Sequence, residues 1–151
     1  MVDVPVEEYV CTRIRRAEQA LMAHHEAVLR GYGLTMTQYT VLLTMSRGDG
    51  MSGAQLARAC GVTQQSMATV LTGMQNKGLI ERQPSAVHAK VMIATLTSTG
   101  RDLLDRAYRE VIVLERALTD RFTQDERNRF CEFLDRTTAT LIEQTTTAHT
   151  N

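Results

Sequence analysis

Residues 61–71, GVTQQSMATVL, place Gln64 and Gln65 side by side, with Thr69 and Thr72 following at helical intervals. An amide side chain offers a donor and an acceptor together and carries no charge, so this group is suited to recognising hydrogen-bonding patterns. At about 3.6 residues per turn, Met67, Val70, Leu71 and Met74 fall on one stripe, and Gln65, Thr69, Thr72 and Asn76 fall on the opposite one. The segment therefore reads as a helix with one side buried and the other uncharged and polar. Solvated helix faces are ordinarily built from Glu, Lys and Arg, which favour helix, whereas Thr and Asn favour it poorly. Taken alone, the stripe also fits a weakly charged surface helix with no special role.

The neighbouring elements give the stripe its setting. Thr35 with Gln38, Ser52 with Gln55 and Thr123 with Glu126 have capping-box spacing, and predict helices over about 36–47, 53–59 and 124–146. A long helix is expected over 6–30, with Val10, Ile14, Ala17, Leu21 and Val28 at helical spacing and Gly31 ending the run. Thr97 or Ser98 opens another over 98–119, with Leu103, Leu104, Ala107, Val111, Leu114 and Leu118 on one face. Helix 53–59 is followed by a turn containing Gly61 and a new helix from Thr63, which is helix-turn-helix spacing. Gly78 can end that second helix in a left-handed conformation. LIERQ and VMIATL then read as two strands joined by PSAVHAK, a hairpin with a proline start and a basic tip. The expected architecture is mainly α with a small β-hairpin wing: a winged helix-turn-helix. The tail QTTTAHTN is expected to fray.

Composition agrees with one globular unit. The chain has 151 residues, 43% hydrophobic and 23% charged, and only Pro5 and Pro84 interrupt helix formation. No apolar run approaches the roughly 18 residues of a membrane span, and the acidic start MVDVPVEEYV is unlike a signal peptide, so a soluble cytoplasmic protein is expected. The net charge is zero but unevenly spread. Residues 52–101 hold Arg58, Lys77, Arg82, Lys90 and Arg101 against Glu81, a balance of +4, while residues 102–151 balance seven arginines against ten acids, −3. A basic middle with an acidic end is the asymmetry expected if the middle meets a polyanion.

In a helix-turn-helix the second helix enters the major groove of duplex DNA, where glutamine can pair bidentately with adenine. On this reading Gln64, Gln65, Thr69 and Thr72 face base edges and Ala68 meets a thymine methyl. The N-terminal amides near Ser52 and Thr63, together with Lys77, Arg82 and Lys90, suit phosphates, which position a protein without specifying sequence.

The order of long helix, LTMTQYTVLLTM, GMSGAQLARACGVTQQSMATVLTGMQNKGLIERQ, wing, ATLTSTGRDLL and two C-terminal helices resembles a MarR-family transcription regulator over almost the whole chain. TQYTVL, GLIER and LTSTG carry the resemblance most specifically. It implies a single MarR-like domain over 1–151, with a winged lobe at about 33–97 and dimerisation helices at about 6–30 and 98–146. It further implies an obligate homodimer on a palindromic operator, repression as its mode of action, and release by a small, often aromatic effector. That effector would sit between the first helix, the Tyr39 helix and the fifth helix, with His24, His25, Met36 and Tyr39 as candidates. The chain departs from the family in the wing. Where the family usually carries an Asp followed by one or two arginines, this sequence reads His88, Ala89, Lys90. Lysine lacks the bidentate geometry of arginine, and His88 adds charge only below about pH 6.5, so a weaker wing contact is expected.

Cys11 lies 24 residues before Thr35, similar to the peroxide-sensing cysteine of the organic hydroperoxide regulators in this family, and Arg15 one turn along would favour its thiolate. The tyrosines that surround the thiol there are replaced here by Arg15 and His25, and the alternative is a cysteine packed between subunits. Cys60 and Cys131 are expected in the core, with a resolving role open to Cys131, and the Met-rich stretch is expected to fill core space. His24 and His25 are adjacent and so do not form the i, i+4 pair that binds metal; neither metal nor cofactor is implied. The absence of a glycine-rich phosphate loop, GxSxG or an evident carboxylate pair argues against an enzyme. The reading that competes with a DNA-binding regulator is a protein-interaction module that has kept the fold and lost the operator.

Overall fold

The structure, a computed structural model, describes Pro5, residues 8–87 and residues 90–148. In chain order the elements are α1 (Val10–Arg30), α2 (Met36–Met45), β1 (Met51–Ser52), α3 (Gly53–Ala59), α4 (Gln64–Asn76), β2 (Ile80–Pro84), β3 (Met92–Leu96), α5 (Ser98–Thr119) and α6 (Gln124–Ala148). Contacts divide the chain into two units, residues 1–111 and 112–151.

The first unit contains the winged lobe. Capping starts its helices as the sequence implies. Thr35 accepts from the Gln38 amide while the Gln38 side chain accepts from the Thr35 amide, and Ser52 and Gln55 do the same at α3. The β-sheet has the order β1-β3-β2 and is antiparallel throughout, with Arg82 opposite Ala94 in β2·β3 and Met51 opposite Ala94 in β1·β3. The two-residue β1 is absent from the sequence reading. It forms because Gly50, at φ 129°, lets the backbone pass so close to β3 that a Cβ there would lie 2.7 Å from Ile93 Cγ2. Pro84 ends β2 instead of opening the turn, which an edge strand tolerates because its outer amides need no ladder partner.

Leu29 of α1, Tyr39, Val41, Leu42 and Met45 of α2, and Leu56 of α3 form the core with Met67, Leu71 and Met74 of α4; Ile80, Ala94, Leu104 and Ala107 complete it. The methionines act as core filler: Met45, Met67 and Met74 are buried, and Met36 and Met51 pack against them. Cys60 is half-buried against the same cluster, where desolvation raises its thiol pKa.

Several expectations need correction. Residues 6 and 7 of the expected first helix lie outside the described residues, and the helix begins at Val10. Its other end is where the sequence put it, with Gly31 as the C-cap after Arg30 at φ −61°, and Gly33, at φ 64°, turns the loop before α2. Of the tail expected to fray, residues 149–151 lie outside the described residues, whereas α6 continues to Ala148, and Thr145, Thr146 and Thr147 donate to carbonyls four residues back. Cys131 is exposed, because α6, which makes up most of the second unit, buries none of residues 124–147. Within that unit Phe122 stacks on Phe130 with ring centroids 5.7 Å apart, and Phe133, Leu134, Leu141 and Ile142 remain exposed.

Candidate nucleic-acid interface

Local chemistry fixes the position of α4. Gly61, at φ 65°, turns the chain after α3, with the Val62 amide donating to the Ala57 carbonyl at 3.0 Å. Thr63 then caps α4 by accepting from the Ser66 amide at 3.1 Å. Gly78, at φ 68°, ends it, and the Leu79 amide returns to the Met74 carbonyl at 3.0 Å. Left-handed glycines at both turns let two short helices and a strand pack on one core without strain.

Burial of Met67, Leu71 and Met74 turns the opposite face outward, so Gln64, Gln65, Ala68, Thr69 and Thr72 are all exposed. Ala68, Thr69, Thr72, Gly73 and Asn76 line a shallow depression of about 490 Å³ on that face. The threonine hydroxyls are already in use as donors: Thr69 Oγ1 donates to the Gln65 carbonyl at 3.3 Å and Thr72 Oγ1 to the Ala68 carbonyl at 2.9 Å. Ser52 and Thr63 likewise spend their hydroxyls on caps, Ser52 Oγ donating to Gln55 Oε1 at 2.9 Å and Thr63 Oγ1 to Ser66 Oγ at 2.9 Å.

The expected cations occupy three different settings. Arg82 is half-buried on β2, and Lys90 is exposed in the turn before β3. Lys77 caps the end of α4 and donates from Nζ to the Gly33 carbonyl at 2.8 Å, with Gln38 Oε1 at 3.4 Å. His88 lies outside the described residues. A wider groove of about 610 Å³, lined in part by Arg82, Thr97, Ser98 and Thr99, runs between β2 and the start of α5. The sequence signalled only a helix start at that point.

The four residues expected at an effector site differ in exposure. Tyr39 is buried, His25 and Met36 are half-buried, and His24 is exposed. Burial raises the Tyr39 phenol pKa and Tyr108 of α5, a residue not anticipated from sequence, raises it further. His25 Nδ1 is buried without a hydrogen-bond partner, and burial, then the neighbouring His24, lowers the His25 pKa. The two imidazoles stand 6.1 Å apart at 61°, edge to face. Cys11 is exposed on α1. Among the described residues no group of three His, Cys, Asp or Glu could hold a metal ion, and no helix is long and apolar enough to cross a membrane.

Comparison with known proteins agrees with this arrangement. The model of the MarR family matches residues 32–90, from the loop before α2 to the wing. The HTH-type transcriptional repressor Rv2887 of Mycobacterium tuberculosis is 32% identical over 121 residues, which are 80% of this chain and 87% of the relative. Among solved structures, Rv2887 complexed with DNA superposes with a TM-score of 0.69 at 30% identity over 89% of this chain and 98% of that one. Rv2887 complexed with p-aminosalicylic acid gives 0.65 at 30% identity over 85% and 97%. The chain therefore belongs to the MarR family, and these relatives are transcription regulators and not enzymes.

Proposed function

We propose that the chain is a sequence-specific DNA-binding repressor that acts as a homodimer on a palindromic operator and is released by a small aromatic ligand. The observation that carries the reading is the division of α4 into a buried apolar face and an exposed, uncharged hydrogen-bonding face. Gln64 and Gln65 face base edges, with Ala68, Thr69 and Thr72 beside them, while Arg82 and Lys90, with His88 at low pH, meet phosphates. Ser52 and Thr63 cap the starts of α3 and α4, whose first amides suit phosphates. The relative solved with DNA supports this reading. Selection from a randomised duplex pool tests it: recovery of one inverted-repeat sequence is expected, and recovery of no enriched sequence would leave the interaction-module reading in its place.

Dimerisation rests on apolar residues that one chain leaves uncovered, among them Val10 and Leu21 on α1 and Leu141 and Ile142 on α6. Two recognition helices must then sit about 34 Å apart, so a ligand that prefers one spacing shifts binding by a typical coupling of about 1–3 kcal/mol. Buried Tyr39, the unpartnered His25 Nδ1, and the neighbouring His24 and Met36 favour an aromatic acid as that ligand, as does the p-aminosalicylic acid complex of the relative. Exposure of Cys11 keeps a thiol-based peroxide response as the second reading. Cys11→Ser separates the two. Duplex binding, and its release by p-aminosalicylic acid, are expected to survive in the variant. Release by an organic hydroperoxide that vanishes in Cys11→Ser, with no response to aromatic acids, would replace the ligand reading with the redox one.

A further inference from the structure

The end of the recognition helix is tied on two sides. Lys77 reaches across 44 residues of sequence to the Gly33 carbonyl, at 2.8 Å, in the loop between α1 and α2. Its second neighbour, Gln38 Oε1 at 3.4 Å, also accepts from the Thr35 amide and so belongs to the capping box that starts α2. One residue later the Gly78 carbonyl accepts from Thr97 Oγ1 at 2.7 Å, and the same hydroxyl caps α5 by accepting from the Gly100 amide at 3.0 Å. The last turn of α4 is thus bonded to the start of α2, which carries Tyr39, and to the start of α5, which carries Tyr108.

We propose that Lys77 is a positioning residue that latches the recognition helix to the α1–α2 loop, so that movement of the loop is passed to α4. An ammonium–carbonyl bond of this length is charge-assisted and directional, and the lysine stem spans the gap without burying the charge. The loop turns through Gly33 at φ 64°, where a side chain would meet no atom within 4 Å. A phosphate contact by the same ammonium would compete with the Gly33 carbonyl. The latch deepens the proposed ligand control, and its affinity arm rests on that reading, whereas its exchange arm does not.

Lys77→Met keeps the stem and removes the ammonium. In the free full-length protein, amide hydrogen exchange at Gly33 and Leu34 is expected to quicken relative to the wild type, because their bonds to the Arg30 and Leu29 carbonyls lose an anchor. Binding to the duplex that the wild type selects from a randomised pool should weaken by about three- to tenfold. Its dependence on salt should stay unchanged, because no phosphate contact is lost. A salt slope reduced by about 0.9 per subunit, with exchange at Gly33 and Leu34 unaltered, would make Lys77 a phosphate ligand and overturn the latch. Wild-type values of exchange, affinity and slope together would overturn it as well. If the wild type selects no duplex, the DNA-binding reading fails, and the exchange measurement decides the latch alone.

Discussion

Helices α4 and α6 are both amphipathic, and they dispose of their apolar faces in opposite ways. In α4, Met67 and Met74 are fully buried, whereas in α6 Phe133 is 51% exposed and Ile142 62% exposed. The first helix finds cover inside its own unit, which frees its polar face to meet another molecule. The second leaves apolar side chains uncovered, the surface that the proposed dimer would use. Function on α4 is thus expected from polar groups, and on α6 from apolar ones.

On the α4 side the helix depends on close packing just after its end. A Cβ at Gly100 would lie 2.0 Å from the Leu79 carbonyl oxygen, a backbone atom directly after the helix exit. Gly100→Ala is therefore expected to cost about 3 kcal/mol or more, read as a lower urea midpoint, and near-wild-type stability would mean that the turn yields freely. On the α6 side, Ile142→Lys places a charge in the exposed apolar face and should convert a dimer to a monomer in sedimentation at low micromolar concentration. A wild type that is already a folded monomer there would remove the contrast.

Smaller effects sharpen the polar half. Gln65→Ala is expected to reduce discrimination between selected and random duplexes by about 1–3 kcal/mol. Lys90→Ala should weaken both and lower the salt slope by about one. Equal loss on both duplexes for Gln65→Ala would contradict its base-reading role. The smallest effect concerns His25, whose pKa is held below its ordinary 6.5 by burial and by His24. Below about pH 6.5 the unfolded chain takes up a proton that the folded chain refuses. Stability is then full above that value and declines as pH falls toward the folded pKa. Urea midpoints compared at pH 7.5 and 5.5 should show a smaller drop for His25→Gln than for wild type, and identical drops would count against the desolvated site.

Much of the lobe was legible because its signals are local. Capping pairs such as Ser52 with Gln55, and the apolar stripe of Met67, Leu71 and Met74, depend on neighbours within a turn or two. The exposed Gln65 and Thr69 followed from that stripe. What sequence could not provide depended on distant partners. β1 exists only because β3 lies beside Gly50, the Lys77 contact joins residues 44 apart, and the influence of Tyr108 on the Tyr39 phenol arises only in the fold. The fate of Cys131 was equally hidden, because periodicity reveals that a helix face is apolar and leaves open which molecule covers it.

The hydroxyls of Thr69 and Thr72 donate to the carbonyls of Gln65 and Ala68, so each side chain meets an outside partner with oxygen lone pairs and a methyl group, and with no spare proton. In the major groove the amino groups of adenine and cytosine can satisfy such lone pairs and the thymine methyl can pack on the threonine methyl, whereas guanine shows two acceptors. For the proposed operator this becomes a rule of spelling. An A·T pair offers both the amino group and the methyl, so A·T pairs are expected to be enriched over G·C pairs opposite those two threonines in the selected pool.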